Sequence, residues 1–440
     1  YGIEDTPEFS KALQLGAQHL LAMFLSTVAL PLVIASAIGL GNSDTTYIVQ
    51  MALLVAGVAT LVQVYQIGPI GARLPIVMGT SAIFVSPLIS VGTEFGLAAI
   101  FGAVIIAAPI EVLIGYVFDD IERLFPPLVT GIVVMLVGLT LIPIALQYSA
   151  GTPGTDTFGS LRNLGLAALV FAVALGVNQL FDGFMRSAAV LVAVIIGYLA
   201  AIPLCLLDLS AVGSAAWFSF PRPLAYGLSF EPSALLIIGF AYIITSMETI
   251  GDISGTTESV GRQPRTEETQ GGLVADGVMS AVAGIFNAFP NTSFSQNVGL
   301  ISFTGVASRS VVGIAGVFLI VLGLVPKVAA VVSAMPNPVL GGAGVVLFGM
   351  IISIGLRMIA QGATLTQRNL TIIAVSLVIG VGVEWRSDAL AQLPSEAQVL
   401  ATSGLIMGGV TALVLNAVLP ENGDSGTPSV MGDPIAEDDD

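Results

Sequence analysis

The sequence predicts an all-α polytopic membrane protein. It reads as about fourteen transmembrane segments in a 7+7 inverted repeat, with two half-length segments, the third and the tenth, meeting at mid-membrane. Three observations carry that expectation. Only 10% of the 440 residues are charged and 55% are hydrophobic, against roughly a quarter charged in soluble chains, and the mean hydropathy is +0.95. Fourteen apolar runs can be marked off along the chain. The chain also repeats itself at a nearly constant offset.

The runs centre near 12–39, 47–66, 75–92, 96–118, 126–147, 161–181, 187–207, 234–254, 272–288, 293–304, 310–333, 338–356, 369–383 and 401–419. A crossing helix needs about 20 apolar residues, and the third and tenth runs fall short. Tyr1 to Lys11 are polar and acidic, with no cleavable signal, and Leu13 opens the first span. Lys11, Arg73, Arg123, Arg186, Arg262, Arg265, Arg309, Arg357 and Arg368 fall on one side of the membrane, and Arg162, Arg222, Lys327 and Arg386 on the other. That bias puts the larger set, and both termini, in the cytoplasm of an integral cell-membrane protein.

A shift of about 211 residues lays Pro127, Gly131, Val134, Leu136 and Gly138 onto Pro338, Gly342, Val345, Leu347 and Gly349. A shift of about 212 lays Thr80-Ser81 onto Thr292-Ser293. Each half then holds seven spans, an odd number, so the second half is inverted relative to the first. Inverted halves with paired broken segments are the layout of secondary transporters.

The tenth run is the most unusual stretch: Pro290-Asn291-Thr292-Ser293-Phe294-Ser295-Gln296-Asn297-Val298-Gly299. Carboxamides and hydroxyls in hydrocarbon need partners. They either line a cavity at mid-depth or glue helices together.

Ionisable residues within the spans are few. Glu248 and Asp252 stand four apart on one helix face of the eighth run. Asp276 lies in the ninth, and His19, the one histidine, follows Gln18 in the first. Each is either a buried structural partner or a site for substrate or protons. Glu111, near an end of the fourth run, is left unassigned. A carboxylate and a carboxamide facing one cavity suit a planar heterocycle with adjacent N–H and C=O groups. Half-helix N-termini would add backbone donors, and a buried carboxylate can carry a proton.

Other classes have little support. No HExxH, GxSxG, Cys–His pairing or phosphate loop is present, so neither an enzyme nor a metal or cofactor is expected. Cys205 is a single cysteine, which excludes a disulfide framework. A net charge of -16, with an acidic run at Glu437-Asp438-Asp439-Asp440, does not suit nucleic acid.

Gln296-Asn297-Val298-Gly299 with Thr304-Gly305 resembles the signature of the nucleobase–ascorbate transporter family, also called nucleobase:cation symporter-2. The resemblance covers nearly the whole chain. It runs through Gln18-His19, Gly71-Ala72-Arg73-Leu74-Pro75, Met78-Gly79-Thr80-Ser81, Glu248, Asp252, Ala275-Asp276-Gly277, Pro290-Asn291-Thr292 and Pro338-Val339-Leu340-Gly341-Gly342. It implies a core domain (residues 1–118 and 234–333) and a gate domain (119–233 and 334–419), with 420–440 as a disordered acidic tail. It further implies that Glu248 and Gln296 bind the base, with the backbone near Ser81-Ala82 and Phe294-Ser295 completing the pocket. Asn297, Asp252, Asp276, His19 and Gln18 would shape the site or its proton coupling.

Gln296 resembles the xanthine and urate branch, where uracil permeases carry Glu and ascorbate carriers Pro. Val298 and Ala82 stand where that branch tends to have Asn and an aromatic residue. The resemblance thus implies an importer of a purine base by cation symport, with H+ as the coupling ion and Na+ as the other candidate. It also implies elevator-like movement in a homodimer joined through gate helices in the lipid bilayer. A uracil or broad nucleobase permease, or an anion transporter of the related sulfate-carrier fold, are the alternatives.

Overall fold

A computed structural model describes residues 1–121, 126–394, 398 and 401–420. Arg123 and the acidic tail lie outside the described residues. The first half runs α1 (Phe9–Ala37), α2 (Asn42–Tyr65), β1 (Met78–Thr80), a 3-10 turn (Ala82–Phe84), α3 (Val85–Phe95), α4 (Leu97–Ala107), α5 (Pro109–Ile121), α6 (Pro127–Thr140), α7 (Ile142–Ala150), α8 (Leu161–Leu180), α9 (Gly183–Ser187) and α10 (Ala189–Ala201). After α11 (Ser210–Ser214) the second half runs α12 (Pro232–Glu258), α13 (Thr266–Ile285), β2 (Asn291–Ser293), α14 (Ser295–Thr304), α15 (Arg309–Gly323), α16 (Pro326–Ser333), α17 (Asn337–Gly362), α18 (Gln367–Trp385) and α19 (Gly404–Val418).

Each apolar run contains helix, and the molecule is an all-α polytopic membrane protein apart from two three-residue strands. Among the described residues eight helical stretches are long and apolar enough to cross a membrane, with α4–α5 and α6–α7 each counted as one, or nine with the pair α15–α16, which bends by 82°. α13 has twenty residues but carries Glu267, Glu268 and Asp276, and it is too polar to be among them.

Helix ends follow local chemistry. Pro127, Pro232 and Pro326 occupy first-turn positions, where the missing N–H costs nothing. Ser160, Thr366 and Ser403 cap α8, α18 and α19 by accepting from the backbone N–H three residues on. Gly305 closes α14 in a left-handed conformation, φ 67°.

The packing has a two-fold pattern. α2 packs on α15 as α13 packs on α4 and α5; α8 pairs with α10 as α18 pairs with α19; α6 and α17 pack on each other. Small residues allow these approaches, since lipid supplies no hydrophobic drive between helices. A Cβ on Gly131 would meet the Gly355 carbonyl at 2.7 Å, and one on Gly355 would meet the Gly131 carbonyl at 2.6 Å.

At the centre β1 and β2 pair antiparallel, Met78 with Ser293, Gly79 with Thr292 and Thr80 with Asn291. Ser81 N–H to the Pro290 carbonyl and Phe294 N–H to the Val77 carbonyl, both 3.0 Å, extend the ladder by one bond at each end. An antiparallel crossing is what a two-fold axis in the membrane plane generates. The pairing satisfies backbone groups that water cannot reach at this depth.

Candidate functional site

Each strand is held by hydroxyls from its own half. On β1, Met78 N–H donates to Thr60 Oγ1 (3.0 Å), and Thr80 Oγ1 donates to the Thr27 carbonyl (3.3 Å). On β2, Asn291 N–H donates to Ser280 Oγ (3.0 Å), which donates back to the Asn291 carbonyl (3.2 Å). Thr245 Oγ1 donates to Thr292 Oγ1 (3.1 Å). Gly79 sits at the crossing, where a Cβ would collide with the Phe294 ring and the Thr27 hydroxyl.

A cavity of about 50 Å³ lies against this crossing. One wall carries Ser26 and Leu30 from α1, Thr80, Ala82 and Ile83 from the first broken segment, Glu248 from α12, and Thr292, Ser293, Phe294 and Gln296 from the second. The facing wall is wholly apolar: Val134 and Val137 from α6, and Leu347, Ile351 and Ile354 from α17.

Of the residues singled out in the sequence, the structure brings Glu248, Gln296, Ala82 and Phe294 to this cavity. Glu248 is the exceptional member, because its Oε2 is buried and has no hydrogen-bond partner. Such an atom carries a desolvation penalty that a donor-bearing ligand would relieve.

The others surround the site. Asp252, one helical turn beyond Glu248, accepts from Ser293 Oγ and Ser295 Oγ, both at 2.6 Å, and so ties α12 to β2 and the start of α14. Ser295 and Ser81, expected to complete the pocket, do not line the cavity; the Ser81 hydroxyl accepts from Ile83 N–H at 3.3 Å. Asn297 donates to His19 Nδ1 (3.0 Å) and to the His19 carbonyl (3.1 Å), joining α14 to α1. Both residues are buried, and the bond makes Nδ1 the acceptor and Nε2 the protonated ring nitrogen. Gln18, half-buried on α1, does not reach the cavity.

Asp276 is fully buried and accepts from the Thr249 hydroxyl, while its Oδ1 has no partner. Glu111 is the residue that the sequence left unassigned. It is fully buried on α5, with Ser246 Oγ at 3.5 Å from Oε1 and no partner for Oε2. Its position near the end of an apolar run gave no hint of this. The signal available was a carboxylate flanked by apolar residues alone.

Two discontinuous spans that cross at mid-depth beside a small part-polar cavity define an integral membrane transporter. The comparisons with known proteins are in accord. A model described as "Permease family" (Xan_ur_permease) matches residues 10–386. The chain is 37% identical over 411 residues to a xanthine permease of Bacillus subtilis, covering 93% of this chain and 94% of that one. It is 39% identical over 406 residues to the uric acid permease PucK of the same organism, covering 92% and 94%. It is 39% identical over 438 residues to the xanthine permease XanP of Escherichia coli, covering 96% and 94%.

Among solved structures, the transmembrane domain of the cyanobacterial bicarbonate transporter BicA superposes with a TM-score of 0.57 at 14% identity, covering 94% of this chain and 100% of that one. Murine Slc26a9 gives 0.63 at 14% identity, covering 95% and 69%. At that identity the likeness concerns the fold alone. The chain belongs to the xanthine/uracil permease family. It is a transporter and not an enzyme.

Proposed function

We propose that this permease imports a purine nucleobase, xanthine or urate, by cation symport, with the proton as coupling ion. The observation that carries the reading is the unpartnered Glu248 Oε2 in a cavity shared with the Gln296 carboxamide. Glu248 accepts from ring N–H groups, and Gln296 pairs with an adjacent N–H and C=O edge. Phe294 offers the ring a face, and the N-terminus of α14 adds backbone donors. A carboxylate without a basic partner in the cavity lining is unsuited to an inorganic anion, which argues against anion transport despite the shared fold.

The apolar facing wall supports an elevator-like movement. Val134, Val137, Leu347, Ile351 and Ile354 form no hydrogen bond across the cavity that sliding would break. In this reading residues 1–118 and 234–333 are the moving core, and 119–233 and 334–419 the gate and the homodimer surface. Glu248, Asp252 and Asp276 are the carboxylates available to carry the proton, and sodium is the competing ion. Both termini face the cytoplasm, with Arg265 internal and Arg222 external.

Uptake into membrane vesicles, with xanthine, urate, uracil and ascorbate in competition, tests the proposal. Xanthine or urate should win, and uptake should collapse with the proton gradient. Preferred uracil uptake would make this a uracil or broad nucleobase permease. Uptake that follows a sodium gradient would replace the coupling ion. Cysteines placed at 222 and 265 and labelled from outside should react at 222 alone.

A further inference from the structure

A second, larger cavity of about 450 Å³ lies along the same two helices, nearer one membrane face. The central cavity touches α1 at Ser26 and Leu30, and α17 at Leu347. The larger one touches α1 at Leu32 and Ser36, and α17 at Asn337, Pro338 and Leu340. It is roofed by the α7–α8 connection (Gly151, Thr152, Thr157) and by Leu206 and Asp208 after α10. All of these are helix ends on the side away from Arg73, Arg262 and Arg265, which is the outer side on the reading proposed above.

Its lining is polar and rich in acceptors. Asn163 is 2% exposed. Its Nδ2 donates to the Ala150 carbonyl (3.0 Å) and the Thr157 carbonyl (2.9 Å), which fixes the amide. Both amide hydrogens are therefore used, and the Oδ1 is left buried with no hydrogen-bond partner. Ser333 Oγ, from another lining residue of the same cavity, is likewise buried and unpartnered. Asp208 accepts from Ser210 N–H (2.9 Å), a bond that holds its carboxyl below the usual carboxylate range and so keeps it ionised. Native proteins seldom leave a buried amide oxygen or hydroxyl without a partner, and each such atom calls for a ligand or an ordered water.

We infer that this antechamber is a separate binding site for a nucleobase, in which Asn163 Oδ1 and Ser333 Oγ accept ring N–H groups before the base moves on to Glu248. The inference rests on the proposed substrate class. The acceptors call for a ligand that presents donors. A cation would need several oxygens converging on one point, and among the described residues no group of three acidic or histidine side chains gathers here or elsewhere. A planar base carries N–H groups at its edge and fits a chamber of this volume, and it is also the species that must pass.

The test uses the full-length protein in vesicles, with Cys205→Ser removing the one native thiol and Thr152→Cys placing a reporter on the exposed rim. Alkylation by a membrane-impermeant maleimide is timed with and without xanthine, urate or uracil, in both the parent and a Glu248→Gln background. The expected result is that one of the bases slows alkylation in both backgrounds. Adding Ser333→Ala to the Glu248→Gln background should weaken that protection about 3- to 10-fold, the worth of one hydrogen bond. Three outcomes overturn the inference: protection that needs Glu248, protection indifferent to Ser333→Ala, or protection by sodium and by no base. Lack of protection by all three bases also overturns it. Protection that persists while vesicles accumulate none of the bases would instead sink the transport reading and leave the binding site standing.

Discussion

Three residues beyond Thr27 on α1 stands Leu30; three beyond Thr245 on α12 stands Glu248. Both threonines anchor the strand of their own half, and both of these neighbours line the central cavity. Seven residues beyond the same threonines stand Ile34 and Asp252. Four residues before Thr60 and Ser280, the hydroxyls that hold Met78 and Asn291, stand Ala56 and Asp276. The halves thus share a scaffold of hydrogen bonds to the strands at matching places, through the hydroxyls of Thr60, Ser280 and Thr245 and the carbonyl of Thr27. They differ at three matching places where the first half is apolar and the second is acidic. A duplicated frame can be kept for geometry while the acidic side chains at these three places are carried by one copy alone.

The largest expected effect comes from erasing that difference. Glu248→Gln removes a charged acceptor meant for two ring N–H groups, each bond worth about 1.5–3 kcal/mol when one partner is ionised. Xanthine or urate binding, measured on purified protein, should weaken more than about 100-fold. Retained affinity would show that the asymmetry has nothing to do with substrate.

Gln296→Glu comes next. It keeps size, removes the amide donors, and leaves a ligand group unpaired at about 1–3 kcal/mol, or roughly 5- to 150-fold in affinity. Uracil should suffer least among the bases. Asn297→Ala, which acts through the bond to His19, should give a milder loss. Unchanged affinities for all bases in Gln296→Glu would make Gln296 a helix-packing residue.

Asp252→Asn separates scaffold from chemistry. Two short bonds from Ser293 and Ser295 lose their charge, so thermal stability should fall, by about 1–3 kcal/mol. The ratio of xanthine to uracil affinity should stay near its original value. A changed ratio with unchanged stability would assign Asp252 to substrate selection instead.

The smallest and most symmetrical test pairs Thr60→Val with Ser280→Ala. Each deletes the hydroxyl that holds a strand, and each should destabilise by a similar amount, about 1–2 kcal/mol. If only one lowers the unfolding temperature, the two frames are not equivalent.

The frame was readable because composition and span length report burial in lipid, and the common offset reports duplication. The strands were not. Three residues at mid-depth carry no periodicity, and the turn from helix to strand is dictated by a partner about 210 residues away in sequence. Glu248 and Asp252 share a helix face, which spacing alone shows. That one is open to the cavity and the other engaged depends on Ser293 and Ser295, which the fold delivers. The pairing of Glu248 with Gln296 was reached through family resemblance, since nothing local links positions so far apart. The antechamber left no trace in the sequence at all, being assembled from several helix ends.

The crossing also has a consequence in time. A ribosome adding about 5–20 residues per second finishes β1 roughly 10–40 s before β2 exists to pair with it. Throughout that interval β1 is a stretch of open backbone in a bilayer that tolerates none. The bonds from Thr60 and Thr27 are available at once, because both helices precede β1 in the chain. The Thr60 hydroxyl and the Thr27 carbonyl are thus the partners that β1 can find within its own half before the other half of the junction is made.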